Sequence, residues 1–296
     1  MCDTCGCNIT HGNESLIRPG GKLARTESGK EAVTVLHSLL DENDHTAKHN
    51  REHFDSHNVL AINLMSSPGA GKTALLEASI RALKADAARD LSIAVIEGDL
   101  ETENDAERIR KQGVEAIQIA TGSACHLDAH MVHQALHQLK LDAVDVVFIE
   151  NVGNLVCPAS FDLGQHLNVI LLSVPEGDDK PAKYPVMFRA ADLVLISKSD
   201  LLPVLDDFKP ENAKRYLHDI ASEAPVFELS SKDQSGMQQW FEWLYAQIEK
   251  RKAYVAEHPP ESGHHHHHHH EHEHEHEHEH EHEHEHEHVH AEGKTP

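Results

Sequence analysis

The chain has 296 residues, which is long enough for one large α/β domain with appendages. It holds 50 acidic against 26 basic residues, a formal net charge of −24 at pH 7, which argues against nucleic acid or an anionic membrane as its partner. The longest apolar runs are too short to span a bilayer, and the chain does not open on a basic and then apolar signal segment, so we expect a cytoplasmic protein.

The first seven residues contain three cysteines in the spacing C-x-x-C-x-C. In a reducing compartment such thiols are more often metal ligands than disulfide partners, and three so close together can surround one ion. We therefore predict a nickel or zinc site at Cys2, Cys5 and Cys7, with the α-amine of Cys2 as a fourth donor if Met1 is removed. The alternative is a disordered N-terminus with incidental thiols. The rest of residues 1–30 is rich in Gly, Ser, Asn and charge and is interpreted as a linker.

The first predicted helix covers residues 31–54 and carries a row of histidines. His45, His49, His53 and His57 are spaced four apart, which places them on one helical face. Such a row could bind a metal ion. We interpret it instead as a solvated face, because no Cys or carboxylate at ligand spacing fixes the geometry of a site.

A phosphate-binding loop is predicted after the first strand, which begins at Val59. The loop SSPGAGKT ends in the pattern G-x-x-x-x-G-K-[ST], with Ser66 in place of the first glycine, and a helical pattern follows it. In such loops backbone N–H groups bind phosphate oxygens, the lysine reaches the β- and γ-phosphates, and the threonine ligates Mg²⁺. The predicted nucleotide-binding residues here are Gly69, Ala70, Gly71, Lys72 and Thr73.

A second strand, residues 93–96, leads into Asp99. A carboxylate at the carboxyl end of a parallel strand faces the ligand crevice of a doubly wound sheet. We predict that Asp99 holds Mg²⁺ through water or orients the attacking water, with a helix-capping role as the alternative.

A third strand, residues 116–120, leads into Cys125 and His126, and both side chains could reach one metal ion from a loop. The helix that follows has an apolar stripe that packs inward. Three further histidines of that segment are interpreted as surface residues. They are His130, His133 and His137.

The fourth strand, residues 144–149, is a continuous apolar run, which indicates burial on both faces. In a nucleoside triphosphatase the next residue, Glu150, would lie near Mg²⁺, and the N–H of Gly153 would contact the γ-phosphate. Cys157 follows four residues later. A loop that reorders when the γ-phosphate leaves would therefore carry Cys157 with it.

Further strands are predicted at residues 169–174, 193–196 and 226–229. The second of these ends in Ser197-Lys198-Ser199-Asp200, which resembles the N-K-x-D element of GTPases. Its aspartate accepts from the N1–H and N2–H₂ of guanine, a donor pair that adenine lacks. The residues predicted to bind the base are Lys198, Asp200, Ser231 and Lys232.

Beyond Pro259 the composition changes to seven consecutive histidines and then to alternating Glu and His, which contains more than half of the chain's 30 histidines. Such a segment cannot build a core, because nothing apolar offsets its chain entropy. We expect a disordered tail that binds divalent ions near neutral pH, with a purification tag as the alternative.

Taken together, these motifs resemble the HypB family of hydrogenase maturation GTPases, which belong to the SIMIBI class of P-loop proteins. The resemblance runs from about residue 31 to residue 247 and includes the initial CxxCxC. It rests on SSPGAGKT, EGDLET, DAERIR, CHLDA, IENVGNLVCPASFDLG and PEGDDKPAKYP.

The resemblance implies a mostly parallel α/β sheet with helices on both faces and a GTPase that delivers nickel to [NiFe]-hydrogenase precursors. It also implies that Cys125, His126 and Cys157 form a nickel or zinc site at the interface of a GTP-dependent homodimer, with HypA and the hydrogenase large-subunit precursor as partners. The expected cofactors are GTP, Mg²⁺ and Ni²⁺, with Zn²⁺ as an alternative metal. Catalytic roles are expected of Lys72, Asp99, Glu150 and Gly153.

Hydrolysis should be slow, because the sequence identifies no arginine finger, and unassisted P-loop GTPases turn over at roughly 10⁻⁴ to 10⁻² per second. The alternatives are a urease-type nickel accessory GTPase, a His-rich nickel or zinc storage protein and a small-molecule kinase on the same fold. The predicted divisions are residues 1–30, 31–255 and 256–296.

Overall fold

The computed structural model describes residues 32–86, 91–99, 104–122 and 124–258, and it describes side chains from residue 40 onward, except that of residue 104. The predicted cysteine motif at Cys2, Cys5 and Cys7, its linker and the His/Glu-rich tail from residue 259 lie outside these ranges. The three predicted divisions of the chain therefore stay a prediction.

In the described part of the chain, seven strands form one parallel sheet. The strands are β1 (Leu60–Ser66), β2 (Ile93–Asp99), β3 (Glu115–Ala120), β4 (Val146–Glu150), β5 (Leu167–Ser173), β6 (Leu193–Ser197) and β7 (Val226–Glu228). Their order in the sheet is β3-β2-β4-β1-β5-β6-β7. The five inner strands are largely apolar and buried, as expected for strands that are covered on both faces, whereas the edge strands β3 and β7 are only partly buried.

Helices connect these strands and cover both faces of the sheet, which confirms the predicted fold class. Short 3₁₀ turns, including Cys157–Ser160 and Ser199–Leu201, follow several strands. The helices are α1 (Ala32–Ser56), α2 (Lys72–Ala85), α3 (Asn104–Arg110), α4 (Ala129–Leu136), α5 (Lys180–Lys183), α6 (Pro185–Arg189), α7 (Pro210–Asp219) and α8 (Met237–Glu257).

Alternate residues of each strand enter different apolar layers, because successive side chains of a strand point to opposite faces. In β1, Ile62 packs with α2 and α8, including the fully buried Trp240, whereas Ala61 packs with Phe54 of α1 and with α4. A third layer under α6 and α7 completes the second face. This packing places the carboxyl ends of all the parallel strands at the same edge of the sheet.

None of the described helices is both long and apolar enough to cross a membrane. Three helices, α5, α6 and α7, were not predicted from the sequence. Two of these are only four and five residues long, and helices that short carry too few residues to show a periodic apolar pattern.

Candidate nucleotide and metal site

The loop between β1 and α2 has the backbone geometry of a phosphate-binding loop. Gly69 and Gly71 have φ values of 73° and 103°, a region that glycine enters without steric cost. α2 begins immediately afterward at Lys72, so its unpaired N–H groups and positive dipole end face the loop. A nucleotide phosphate fits this loop for the same reasons that anions bind helix N-termini generally.

Lys72 and Thr73 are both buried, and both face the end of the neighbouring strand β4. The Thr73 Oγ1 donates to Glu150 Oε1 at 2.9 Å, and Lys72 Nζ lies 4.0 Å from the same oxygen. Lys72 Nζ also donates to Ser66 Oγ at 3.2 Å. Ser66, which departs from the general phosphate-loop pattern, therefore helps to orient the lysine side chain.

Glu97 is a site residue that the sequence analysis missed. It pairs in register with Glu150 on adjacent strands, and both carboxyl groups are almost fully buried. Burial raises the pKa of Glu97 well above the ordinary carboxyl range, and the charge of Glu150 raises it further. Burial raises the pKa of Glu150 as well, but Lys72 and Thr73 favour its ionised form. Of the two carboxyl groups, Glu97 therefore holds a proton more tightly, and Glu150 is the one stabilised as an anion by Lys72 and Thr73. An acidic residue inside an otherwise apolar strand was the signal available in the sequence.

The carboxyl group of Glu150 provides a hard oxygen donor of the kind that Mg²⁺ prefers, and its Oε1 already faces Thr73. Glu97 and Glu150 hydrogen-bond to each other, so Glu150 rather than Glu97 is the residue of this pair that faces an added cation. Asp99, the last residue of β2, is partly buried and lies on the same strand face as Glu97, two residues away. Together with the Thr73 hydroxyl, this donor set fits Mg²⁺.

The predicted base-recognition loop is joined directly to the phosphate loop. Ser197 Oγ donates to the Ala70 carbonyl at 2.8 Å, and Lys198 Nζ donates to the Gly69 carbonyl at 2.7 Å. Lys198 has a left-handed backbone, with φ 58°. Ser197, which stands where GTPases have Asn, is therefore able to brace the two loops against each other.

The carboxylate of Asp200 is held by the loop that follows β7. Ser230 Oγ donates to Asp200 Oδ1 at 2.8 Å, and Lys232 Nζ lies 3.7 Å from Asp200 Oδ2. The backbone N–H of Lys232 in turn donates to Ser230 Oγ at 3.2 Å, while Ser231 is partly buried beside them. Ser230 is a second residue that the sequence analysis did not select, and it positions the aspartate.

Three predicted metal ligands meet in one cluster. The ligand atoms of Cys125, His126 and Cys157 all lie within 4.8 Å of one another. Cys125 Sγ is 3.0 Å from Cys157 Sγ and 3.7 Å from His126 Nδ1. The His126 ring is buried and stacks on Phe161 at a centroid distance of 4.0 Å, and burial lowers its pKa, which favours the neutral imidazole that binds metal.

A short loop after β4 connects this metal cluster to the phosphate loop. A Cβ added to Gly153 would lie 2.7 Å from the Pro68 Cα, so the two backbones are in close contact. The next residue, Asn154, donates from Nδ2 to the Cys125 carbonyl at 3.2 Å. The segment then reaches Cys157, which is buried beside Cys125. One run of residues therefore contacts both sites.

A parallel sheet with a phosphate loop after its central strand, and with buried carboxylates at that loop, defines a nucleotide-binding protein of the P-loop class. Residues 60–228 match the family model described as CobW/HypB/UreG, nucleotide-binding domain. The chain belongs to this family.

Curated relatives and solved structures agree with that assignment. The chain is 48% identical to the hydrogenase maturation factor HypB of Rhizobium leguminosarum bv. viciae over 76% of this chain and 73% of the relative. It is 46% identical to the HypB of Escherichia coli K12, over 80% and 78% of the two chains. A crystal structure of HypB from Helicobacter pylori in complex with nickel matches with a TM-score of 0.66 at 44% identity and covers 71% of this chain and 96% of that one.

Proposed function

We propose that this protein is a GTP-hydrolysing nickel metallochaperone that delivers nickel during the maturation of [NiFe]-hydrogenase. The observation that supports this most directly is the position of Cys157. Its thiol contacts Cys125 at 3.0 Å, and it lies on the loop whose Gly153 packs against the phosphate loop. A change at the terminal phosphate of the nucleotide would therefore reach a metal ligand through four residues of backbone.

The nucleotide is GTP, because the carboxylate of Asp200 matches the two donors of guanine and its neighbours Ser230 and Lys232 hold it in place. Lys72 binds the β- and γ-phosphates, and the N–H of Gly153 contacts the γ-phosphate. Glu150 holds Thr73 and orients the groups around the attacking water together with Asp99. Mg²⁺, when bound by Thr73 and the carboxylates, neutralises charge on the phosphate oxygens. Hydrolysis by the chain alone should be slow.

Nickel is the cargo of the second cluster, with zinc as a competing ion. Two thiolates and one imidazole suit a borderline metal, and three protein ligands leave a coordination position open. Val156, next to Cys157, is 57% exposed, so an apolar side chain is available for contact beside the metal site. We infer that this face meets a second copy of the chain in a GTP-dependent dimer. HypA and the hydrogenase large-subunit precursor are the partners proposed from family likeness. Reduced thiols of this kind fit the cytosol.

The proposed cycle is a switch in the loop from Glu150 to Cys157. With GTP bound, Gly153 is held at the γ-phosphate and Cys157 completes the metal site. After the phosphate leaves, the loop relaxes, Cys157 moves away from Cys125, and the affinity for nickel falls. By thermodynamic linkage, nickel must raise the affinity for GTP by the same factor.

Nickel titration with and without a non-hydrolysable GTP analogue tests this proposal. The nickel–thiolate absorption band reports the internal site if Cys2, Cys5 and Cys7 are first replaced by serine, since the remaining thiols are then Cys125 and Cys157. The expected result is at least a fivefold tighter nickel affinity with the analogue. Adding Cys157→Ala should abolish this nucleotide effect.

Two controls separate the switch from simple damage to either site. Lys72→Ala should leave the nickel band intact but remove its response to nucleotide. Ser160→Ala, on the exposed part of the same segment, should behave as the parent. Equal nickel affinity with and without the analogue in the parent chain would overturn the proposed switch.

A further inference from the structure

Two rows of histidine, distant in the sequence, are packed against each other on one face of the protein. α1 contributes His49 and His53, and α4 with its C-cap contributes His133 and His137. The ring of His133 lies 5.1 Å from that of His49 and 5.7 Å from that of His53, measured between centroids. The His53 and His137 rings are 5.9 Å apart. The solvated face expected for these residues is thus a cluster of imidazoles.

Within this cluster, His133 and His137 already direct nitrogens to one point. Their Nε2 atoms are 3.0 Å apart. Two nitrogens bound to one ion at about 2.0–2.1 Å and at about a right angle would be separated by nearly the same distance. A hydrogen bond between the two Nε2 atoms fits this distance, and a divalent ion would take the place of its proton.

The protonation of His133 is determined by its other nitrogen. Asn50 is fully buried and its Nδ2 donates to two backbone carbonyls, those of Ala129 at 2.8 Å and Leu163 at 3.1 Å. Asn50 Oδ1 is therefore an acceptor, and the 2.9 Å contact with His133 Nδ1 requires an N–H on that nitrogen. The lone pair of neutral His133 is then on Nε2. A hydrogen-bonded carbonyl behind the ring is the usual support of a metal-binding histidine.

His53 is the third ring within reach, since it faces both His133 and His137 from α1. It is half-buried, and burial together with the surrounding histidines lowers its pKa to about 4, so it is a neutral imidazole at pH 7. Its ring centroid is 5.7 Å from that of His133 and 5.9 Å from that of His137, so binding of a shared ion would require the ring to turn about the Cβ–Cγ bond. We leave His57 out of this set, because both of its nitrogens have other partners. Its Nδ1 lies 2.9 Å from the His53 carbonyl, and its Nε2 lies 3.5 Å from Asp142.

We propose that His53, His133 and His137 form a second metal site, which takes a divalent ion of the nickel or zinc type. Its donors are neutral imidazoles, whereas the cluster at Cys125 offers thiolates, so the two sites differ in charge and softness. They also lie at opposite ends of α4, which starts three residues after His126 and has His137 as its C-cap. The site does not depend on the nucleotide and would exist even if the proposed GTP switch did not.

Histidine footprinting on the full chain tests this proposal. Diethyl pyrocarbonate modifies free imidazole nitrogens and spares those bound to metal, and peptide mass spectrometry reads each histidine separately. This matters because the C-terminal segment also contains many histidines. With NiCl₂ as the probe, modification of the exposed His137 should fall at least fivefold, while that of the exposed His218 on α7 should not change.

Substitutions decide whether the protection comes from a shared ion. His133→Gln should reduce the protection of His137 to less than twofold. His130→Gln is the matched control, because His130 is exposed on the same helix and contacts Gln134 rather than another histidine. It should leave the protection intact.

Since His133 also bonds to Asn50, its substitution could disturb folding, and His137→Gln supplies a second variant at an exposed position. It should remove the nickel protection of His53. The proposal fails if nickel does not protect His137 in the parent chain. It also fails if His137 remains protected without His133, or if His53 remains protected without His137, because the ion would then be held by other ligands.

Discussion

Gly153 and Pro68 touch through their backbones. A methyl group on Gly153 would lie 2.7 Å from Pro68 Cα and 2.8 Å from Pro68 N, which are closer than real Cβ contacts. Neither atom can rotate away, because both belong to the main chain of the phosphate loop. The segment that leads to Cys157 can therefore pack this closely against the phosphate loop only if residue 153 has no side chain.

Gly153→Ala should uncouple the two sites. Relieving the overlap requires a backbone shift, and such overpacking typically costs about 1–3 kcal/mol. We expect GTP hydrolysis, followed by phosphate release, to fall at least tenfold, and the response of nickel affinity to nucleotide to disappear. Nickel affinity without nucleotide should stay within threefold of the parent. If hydrolysis and coupling both survive, the contact does not transmit the switch.

The two buried glutamates should respond differently to amide substitution. Because burial raises the pKa of Glu97, this residue already resembles glutamine, whereas Glu150 is the carboxyl group that faces Lys72 and accepts from Thr73. Glu97→Gln should keep single-turnover hydrolysis within threefold of the parent. Glu150→Gln should lower it at least tenfold. Equal losses in both variants would mean that the charge is shared between them.

Asp200→Asn should change which nucleotide binds. An amide at this position can no longer accept both donors of guanine, but it can donate to the carbonyl that xanthine has in place of the 2-amino group. GTP affinity should fall at least tenfold, and affinity for xanthosine triphosphate should rise by a similar factor. Fluorescent-nucleotide titration measures both. Asp207→Asn, at a nearby exposed position, should change neither affinity.

His166 should make the fold sensitive to mild acid. The Ala61 N–H donates to His166 Nδ1 at 3.0 Å, so the ring is neutral and its Nε2–H donates to Asp55 at 2.9 Å. Burial lowers the pKa of His166 below its unfolded value of about 6.5. The unfolded chain therefore takes up this proton first. The contribution of His166 to stability is fully present above pH 6.5 and is lost as the pH falls, by up to about 1.4 kcal/mol per pH unit.

His166→Asn tests that dependence, because the amide oxygen can replace Nδ1 as the acceptor without titrating. Urea unfolding in the presence of a chelator should show a smaller loss of stability between pH 7.5 and pH 5.5 than in the parent. His218→Asn, on the exposed face of α7, should leave the pH dependence unchanged. Identical slopes for the parent and His166→Asn would contradict this prediction.

Much of the fold was predictable because its signals are local. The apolar runs indicated all seven strands within a few residues, and the observed α1 (Ala32–Ser56) agrees with the helix predicted over residues 31–54. Several aromatic and apolar residues of α8 likewise pack in the core, where the fully buried Trp240 donates its indole N–H to Ser79 Oγ at 2.8 Å. Short helices such as α5 were not predicted, because four residues are too few to show a helical periodicity.

Site residues were harder to find when their role depends on a neighbour from another strand or loop. Glu97 belongs to the site because strand pairing places it beside Glu150, and Ser230 belongs to it because it donates to Asp200. Neither contact can be recognised from the spacing of residues in the sequence. The proposed metal-binding roles of Cys125, His126 and Cys157 stay predictions, although their side chains do meet.

The alternating strands and helices, the phosphate loop and the donor types available to a metal ion can all be inferred from the amino-acid sequence, because each depends on residues that are close along the chain. Which of these donors face each other depends on the three-dimensional packing of distant elements. Packing of α1 on α4 turned two separate rows of histidine into one cluster, and the loop after β4 brought a cysteine to another 32 residues away. Contacts between residues so far apart in the chain depend on long-range packing, because the apolar surface of one element fixes the position of another.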